Sequence, residues 1–471
     1  MNRRNFFRNA TLSTAGAMLL NPIETLGFNF EDRKLNSKAA KNIIMLVSDG
    51  MSTGTLNMAD MYLSRKTGIG SNWLQLYRDN KVSRALMDMA SASSIVTDSA
   101  AASSSWGGGV RIPNGSINVS TNGEEHMPLW QKFMAAGKKA GCVTTVPITH
   151  ATPAGFCVNQ KSRNDQERIA EKYVDLKLDV LLGGGSKYFD ANTRKDKRNM
   201  FEVYEQQGYY VAQNREKLLG APSDKRLLGV FAENGLPYAK DRYSSSQLTN
   251  STPSIAEMIA VAITNLKGSA EGFVLMVEGG KVDWAAHAND ITALIYDQVA
   301  FDEAVKEAID FAEEDGETLV IITTDHGNAN PGVIYGAKAN EHFDGIQKFT
   351  QTNEWILNGV DKNTTINQLK ERIQYANGVG LSDADVSHLL SYYKEDIPQE
   401  SGLYNPKKLP FRVLAEIQKG YTSVGWISMN HSADYVELAM YGPGSELVPP
   451  FVKNTDLHYL MLTAAEVENK F

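Results

Sequence analysis

Short apolar runs that stop abruptly at glycine and acidic residues constrain this chain more than any other feature. Residues 41–47 read as a buried strand ended by Ser48-Asp49-Gly50. Residues 142–147 follow a Gly/Lys turn and read the same way. So do 180–182 before three glycines, 272–277 before Glu278-Gly279-Gly280, and 319–323 before Asp325-His326-Gly327. Each run is too short for a helix and too continuously apolar for a strand with one wet face. Between them lie segments of helical periodicity at 129–140, 165–176, 254–266 and 291–314. This alternation predicts an α/β fold with a mainly parallel central sheet sandwiched between helices. In such sheets ligands bind beyond the carboxyl ends of the strands, where Asp49, Glu278, Asp325 and His326 fall.

Elsewhere the pattern changes. Residues 340–410 carry few strand signals but two helical segments, 364–377 and 384–393, and close on Pro406-Lys407-Lys408-Leu409-Pro410. They read as a mostly helical subdomain, lid or crown-like, inserted into a catalytic domain spanning 38–471. Residues 111–125, rich in Gly, Asn and Ser, read as an exposed loop or hairpin. At the N-terminus, Asn2-Arg3-Arg4-Asn5-Phe6-Phe7-Arg8 precedes a mildly apolar run at 10–20. That resembles a twin-arginine export signal within residues 1–37, and predicts an exported, periplasmic or secreted protein. The run falls short of the roughly 20 residues a membrane span needs, and no later run qualifies, so stable membrane insertion is not expected. A net charge of -8 over 471 residues argues against nucleic acid as a partner. An anionic ligand would need local positive charge, from cations or an arginine. The two cysteines, Cys142 and Cys157, fit either a pair or two buried thiols, and no cysteine-rich metal site is possible.

The chemistry-bearing residues follow the strand ends. Ser99 lies beside Asp98 and opens an alanine-rich helical run. A serine there meets the unpaired N–H groups of a helix N-terminus, which favour anions and suit a nucleophile aimed at phosphate. Asp283 and His287 are four apart and so face one side of a helix, a spacing that suits zinc. Glu278 offers oxygen to a harder cation, and adjacent Asp325 and His326 can both reach one metal. His150 and Thr152 follow the 142–147 strand, Arg163 lies downstream, and His431 precedes a strand-like stretch at 437–442. Taken singly, each has a plain structural reading as a cap, a loop histidine or a surface arginine.

Taken together and in order, the set resembles an alkaline phosphatase. The matching pieces are Asp49-Gly50, Thr97-Asp98-Ser99-Ala100, His150-Ala151-Thr152-Pro153-Ala154, Arg163, Glu278 with Asp283 and His287, Asp325-His326, His431 and Tyr441-Gly442-Pro443-Gly444. The resemblance implies hydrolysis of phosphate monoesters at alkaline pH through a phosphoserine on Ser99, with two zinc ions and one magnesium. Asp283, His287 and His431 would hold one zinc. Asp49, Asp325 and His326 would hold the other, and Asp49 would bridge to a magnesium shared with Thr152 and Glu278. Arg163 would clamp phosphate oxygens, and the protein would be a homodimer. One branch of the family carries Asp and Lys where this chain has His150 and Trp284 near the substrate; Trp284 cannot supply that lysine's charge, so the resemblance implies weaker binding of product phosphate, with His150 approaching the third metal site. Ser52 stands where Gly is common, with no evident consequence. A phosphodiesterase or sulfatase of the same superfamily, or a non-catalytic phosphate- or metal-binding relative, are the alternatives.

Overall fold

Fourteen strands are assigned among the residues that the computed structural model describes, 38–394 and 404–469. They are β1 (Asn42–Val47), β2 (Ser83–Asp88), β3 (Lys139–Pro147), β4 (Val180–Gly184), β5 (Tyr210–Ala212), β6 (Leu227–Val230), β7 (Phe273–Glu278), β8 (Thr318–Thr323), β9 (Gly327–Asn328), β10 (Gly332–Val333), β11 (Val424–Gly425), β12 (His431–Ser432), β13 (Val436–Tyr441) and β14 (Phe451–Lys453). Ten of them form one sheet in the order β14-β2-β13-β8-β1-β7-β3-β4-β6-β5. Every neighbouring pair is parallel except those of β13, which runs antiparallel to both β2 and β8. The mainly parallel sheet expected from the alternation is therefore present. Strands β1, β7 and β8 are buried along their whole length, as strands covered by helices on both faces must be.

Register then does the positioning. Val47 on β1 pairs with Glu278 on β7 and with Thr323 on β8, and Thr144 on β3 pairs with Glu278. The carboxyl ends of the adjacent strands β8, β1 and β7 are thus level, β3 runs three residues further to Pro147, and the residues that follow these ends share one edge of the sheet.

Some boundaries differ from the sequence reading. The helix expected over 129–140 is Leu129–Ala135, because Gly137 turns the chain at φ 87° and β3 already begins at Lys139. Strands β2, β5, β6 and β14 had no clear signal: β2 is half exposed and β5 is three residues long. The 111–125 segment is a loop, but not a wholly exposed one, since Ile112, Ile117 and Val119 are buried.

After the sheet's eighth strand the chain builds helices Asn353–Asn358, Ile366–Asn377, Asp383–Lys394 and Phe411–Thr422. They share an apolar cluster that includes Ile356, Leu369, Ile373, Leu389, Phe411 and Leu414, so the packing continues past Pro410. Asp290, the N-cap of helix Ile291–Asp315, ties this cluster to the sheet domain. Its Oδ1 accepts from Ala293 N (3.0 Å) and its Oδ2 from Asn353 N (2.6 Å) and Glu354 N (3.2 Å). The export-signal reading of residues 1–37 lies outside the described residues. Among the described residues no helix is long and apolar enough to cross a membrane.

Candidate active site

Three groups of ligand-type side chains converge beyond the level strand ends. Asp283, His287 and His431 form one, Asp49, Asp325 and His326 a second, and Asp49, His150 and Glu278 a third; within each, the ligand atoms lie within 4.8 Å of one another. Gly50 takes φ 65°, and a Cβ there would stand 2.5 Å from Asp283 Oδ1, so only glycine lets the chain after β1 pass this close. His431 is far away in sequence and arrives by a local device: β12 pairs antiparallel with β9, directly after His326. The His326 and His431 rings then stack at 3.7 Å.

The surroundings orient these groups for cations. His287 Nδ1 donates to Met429 O (2.6 Å) and His431 Nδ1 to Thr97 O (3.0 Å). With those protons committed, both Nε2 lone pairs face each other at 3.1 Å, a repulsive arrangement that a cation between them would relieve. Asp49 Oδ2, Thr152 Oγ1, Glu278 Oε1, Asp283 Oδ2 and Asp325 Oδ2 are all buried without a hydrogen-bond partner. Buried polar atoms are rarely left so, and these five are the oxygens a metal set would use. Burial, followed by the charges of Asp325, Asp283 and Glu278, pushes Asp49 well above the usual carboxyl range. Burial likewise pushes Glu278 to about 7 and Asp325 to about 6. Carboxylates packed this way ionise together only beside compensating positive charge.

Ser99 begins helix Ser99–Gly108, and Asp98 caps it, with Oδ1 accepting from Ala101 N (2.9 Å). The Ser99 Oγ lies 3.5 Å from Asp49 Oδ1 and 3.4 Å from His326 Nε2. Arg163 Nη1 donates to Asp98 Oδ2 (2.9 Å), which fixes the guanidinium beside the serine. Burial works to raise Asp98, but Arg163 and the N–H groups of Ala101 and Gly115 hold it below the ordinary range. Helix Ala151–Cys157, carrying Thr152 and capped by His150, packs so closely on the Ser99 helix that a Cβ on Gly155 would lie 2.3 Å from Ser103 Oγ.

This geometry has close counterparts. A family model for alkaline phosphatase matches residues 40–467. Alkaline phosphatase 4 of Bacillus subtilis (strain 168) is 31% identical over 432 residues, covering 90% of this chain and 88% of that protein. The alkaline phosphatase of Escherichia coli (strain K12) is 31% identical over 348 residues, covering 65% of this chain and 74% of that one. The crystal structure of Thermus thermophilus alkaline phosphatase matches with a TM-score of 0.86 at 30% identity, over 95% of this chain and 96% of that chain.

The chain belongs to the alkaline phosphatase family. It is a metal-binding phosphatase, and phosphate monoesters are the substrate class of the family. Within this alkaline phosphatase site several residues escaped the sequence reading. Asn328 Nδ2 donates to Asp283 Oδ1 (2.7 Å), and Thr144 Oγ1 donates to Glu278 Oε2 (2.5 Å). Ser52, read as inconsequential, accepts from Asn328 N (2.9 Å) and donates to Asn330 Oδ1 (2.6 Å), so it anchors the β9 segment. Trp284 has a lysine after all: Lys281, one turn earlier, puts its Nζ 4.7 Å from the Trp284 ring and 3.5 Å from that of Tyr238. Tyr404 reaches in from the helical insertion and stacks on Trp284 at 4.9 Å. None of these carries a spacing pattern that a sequence could reveal. Cys142 and Cys157 are free buried thiols with their sulfurs 3.6 Å apart.

Proposed function

We propose that the protein hydrolyses phosphate monoesters through a phosphoserine formed on Ser99. The observation that carries this reading is the position of Ser99 Oγ, at a helix N-terminus and 3.4 to 3.5 Å from two members of a buried ligand group. No His–Ser base pair of the acyl-transfer kind is needed, because the four site histidines, His150, His287, His326 and His431, all fall in these ligand groups. Asp283, His287 and His431 would hold one zinc and Asp49, Asp325 and His326 the other. Asp49, Thr152 and Glu278 would hold magnesium, with His150 near enough to join them. When bound, these cations would lower the serine pKa and stabilise the attacking and leaving oxygens of an in-line displacement. Arg163, positioned by Asp98, would clamp two non-bridging oxygens in its planar fork. Ser99 Oγ would then bond to phosphorus as the bond to the alcohol breaks, and water would later cleave the phosphoserine to phosphate.

The test is hydrolysis of an aryl phosphate and its diester analogue at alkaline pH, with and without chelator, beside Ser99→Ala. Monoester preference, chelator sensitivity and a loss of about three orders of magnitude or more in the variant are expected. Chelator-insensitive turnover, or a strong diester preference, would overturn the reading in favour of another superfamily activity. Export by the twin-arginine route and a homodimeric state belong to the same proposal. Fractionation of cells carrying Arg3→Lys/Arg4→Lys tests the first, and light scattering of the purified protein the second.

A further inference from the structure

Tyr404 stands immediately before a tight turn. Lys408 N donates to Asn405 O (3.0 Å), Leu409 N to Asn405 Oδ1 (2.8 Å) and Asn405 Nδ2 to Leu409 O (2.8 Å). Pro410 then caps helix Phe411–Thr422, whose Phe411 and Leu414 are sunk in the apolar cluster of the insertion. The Tyr404 ring stacks on Trp284 (4.9 Å, 25° between planes) and meets the His287 ring at 5.5 Å. Backbone and ring are therefore both fixed. They hold the hydroxyl 3.1 Å from His150 Nε2 and 3.5 Å from Arg163 Nη2, and Arg163 Nη2 is itself 3.1 Å from His150 Nε2.

A proton count across these three groups is informative. A guanidinium only donates, so Arg163 Nη2 donates to His150 Nε2 at 3.1 Å and, at 3.5 Å, to the Tyr404 oxygen. His150 Nδ1 is buried with no hydrogen-bond partner, and His150 shares a ligand group with Asp49 and Glu278. The Nε2 lone pair is therefore the acceptor that Arg163 Nη2 and the Tyr404 hydroxyl, each 3.1 Å away, compete for. Arg163 and Tyr404 thus converge as donors on one ring lone pair, and whichever takes it leaves the other donor short of an acceptor. Three converging groups with more donors than lone pairs make a place for an anionic oxygen. Trp284 carries no charge there, and the ring stacked against it brings a hydroxyl donor instead.

We propose that Tyr404 is a phosphate-positioning residue whose hydroxyl donates a hydrogen bond to a non-bridging oxygen of the bound phosphate, beside Arg163. The inference rests on the phosphomonoesterase reading and adds a binding group that the helical insertion delivers. A contact made equally in the bound substrate and in the transition state raises KM when lost and leaves kcat in place.

The decisive variant is Tyr404→Phe, which keeps the ring and its stack and removes only the hydroxyl. Two quantities are measured on the full metal-loaded chain: the affinity for inorganic phosphate by calorimetry, and KM and kcat for an aryl phosphate. Phosphate affinity should weaken roughly tenfold, the size expected for one hydrogen bond to a charged partner. KM should rise by a similar factor without a fall in kcat. Wild-type phosphate affinity and KM in Tyr404→Phe would overturn the proposal. A fall in kcat with phosphate affinity unchanged would also overturn it, as a structural role. A wild-type chain that neither binds phosphate nor hydrolyses the monoester would instead sink the underlying phosphomonoesterase reading.

Discussion

Asp283 belongs to a candidate metal-ligand group, and Asn328 decides where its carboxylate points. The amide donates to Oδ1 at 2.7 Å, and Ser52 pins the Asn328 backbone in turn. Partners of this kind typically change metal affinity or activity by about 10- to 100-fold when removed. Asn328→Ala should weaken zinc binding in that range while leaving the ligands intact, as read by competition with a chromogenic chelator. Unchanged affinity would remove Asn328 from this role. At this scale the sequence discloses ligand types and some spacings. Asp283 and His287 lie on one helix and Asp325 and His326 are neighbours, so their joint use is local. Asn328, Thr144 and Tyr404 are invisible by the same logic: each acts on a partner far along the chain, 45 residues away for Asn328 and 134 for Thr144.

Among the elements, the level ends of β1, β7 and β8, with β3 beside them, bring the ligand segments to one edge, and Asp290 couples the long helix Ile291–Asp315 to helix Asn353–Asn358. Burial pushes the Asp290 carboxyl up to about 7. A carboxyl raised in the folded state favours folding fully below its unfolded pKa, and that contribution is lost as pH rises through the folded value. Asp290 should thus oppose stability progressively between about pH 4 and pH 7. Asp290→Asn should flatten the fall in thermal stability across that window, followed by scanning calorimetry at several pH values. An unchanged slope would assign the dependence to another group. The individual strands were legible because parallel, doubly covered strands are nearly continuous apolar runs. The direction of β13 and the existence of β2 and β14 were not, because β2 is half exposed, the edge strand β14 is three residues long, and pairing partners are chosen by tertiary context.

For the whole molecule, four buried carboxylates, Asp49, Glu278, Asp283 and Asp325, stand near a single site arginine. Cations that bind only the folded chain therefore stabilise it in proportion to the logarithm of their excess over Kd. Removing metal with a chelator should lower the melting temperature by roughly 5 °C or more, and zinc plus magnesium should restore it. A melting temperature indifferent to chelator would mean the carboxylates are neutralised in some other way. The sequence by itself determined the α/β class, the strand ends as the functional edge, the serine at a helix N-terminus and the identity of most candidate ligands. Those are written in local period and spacing, which short-range sterics and burial enforce. Only the tertiary structure decided how they assemble: the common register that levels the strand ends, the β9–β12 pairing that brings His431 onto His326, and the turn that carries Tyr404 to Arg163. Such long-range choices are set by how the whole core packs, and no local stretch of the chain encodes them.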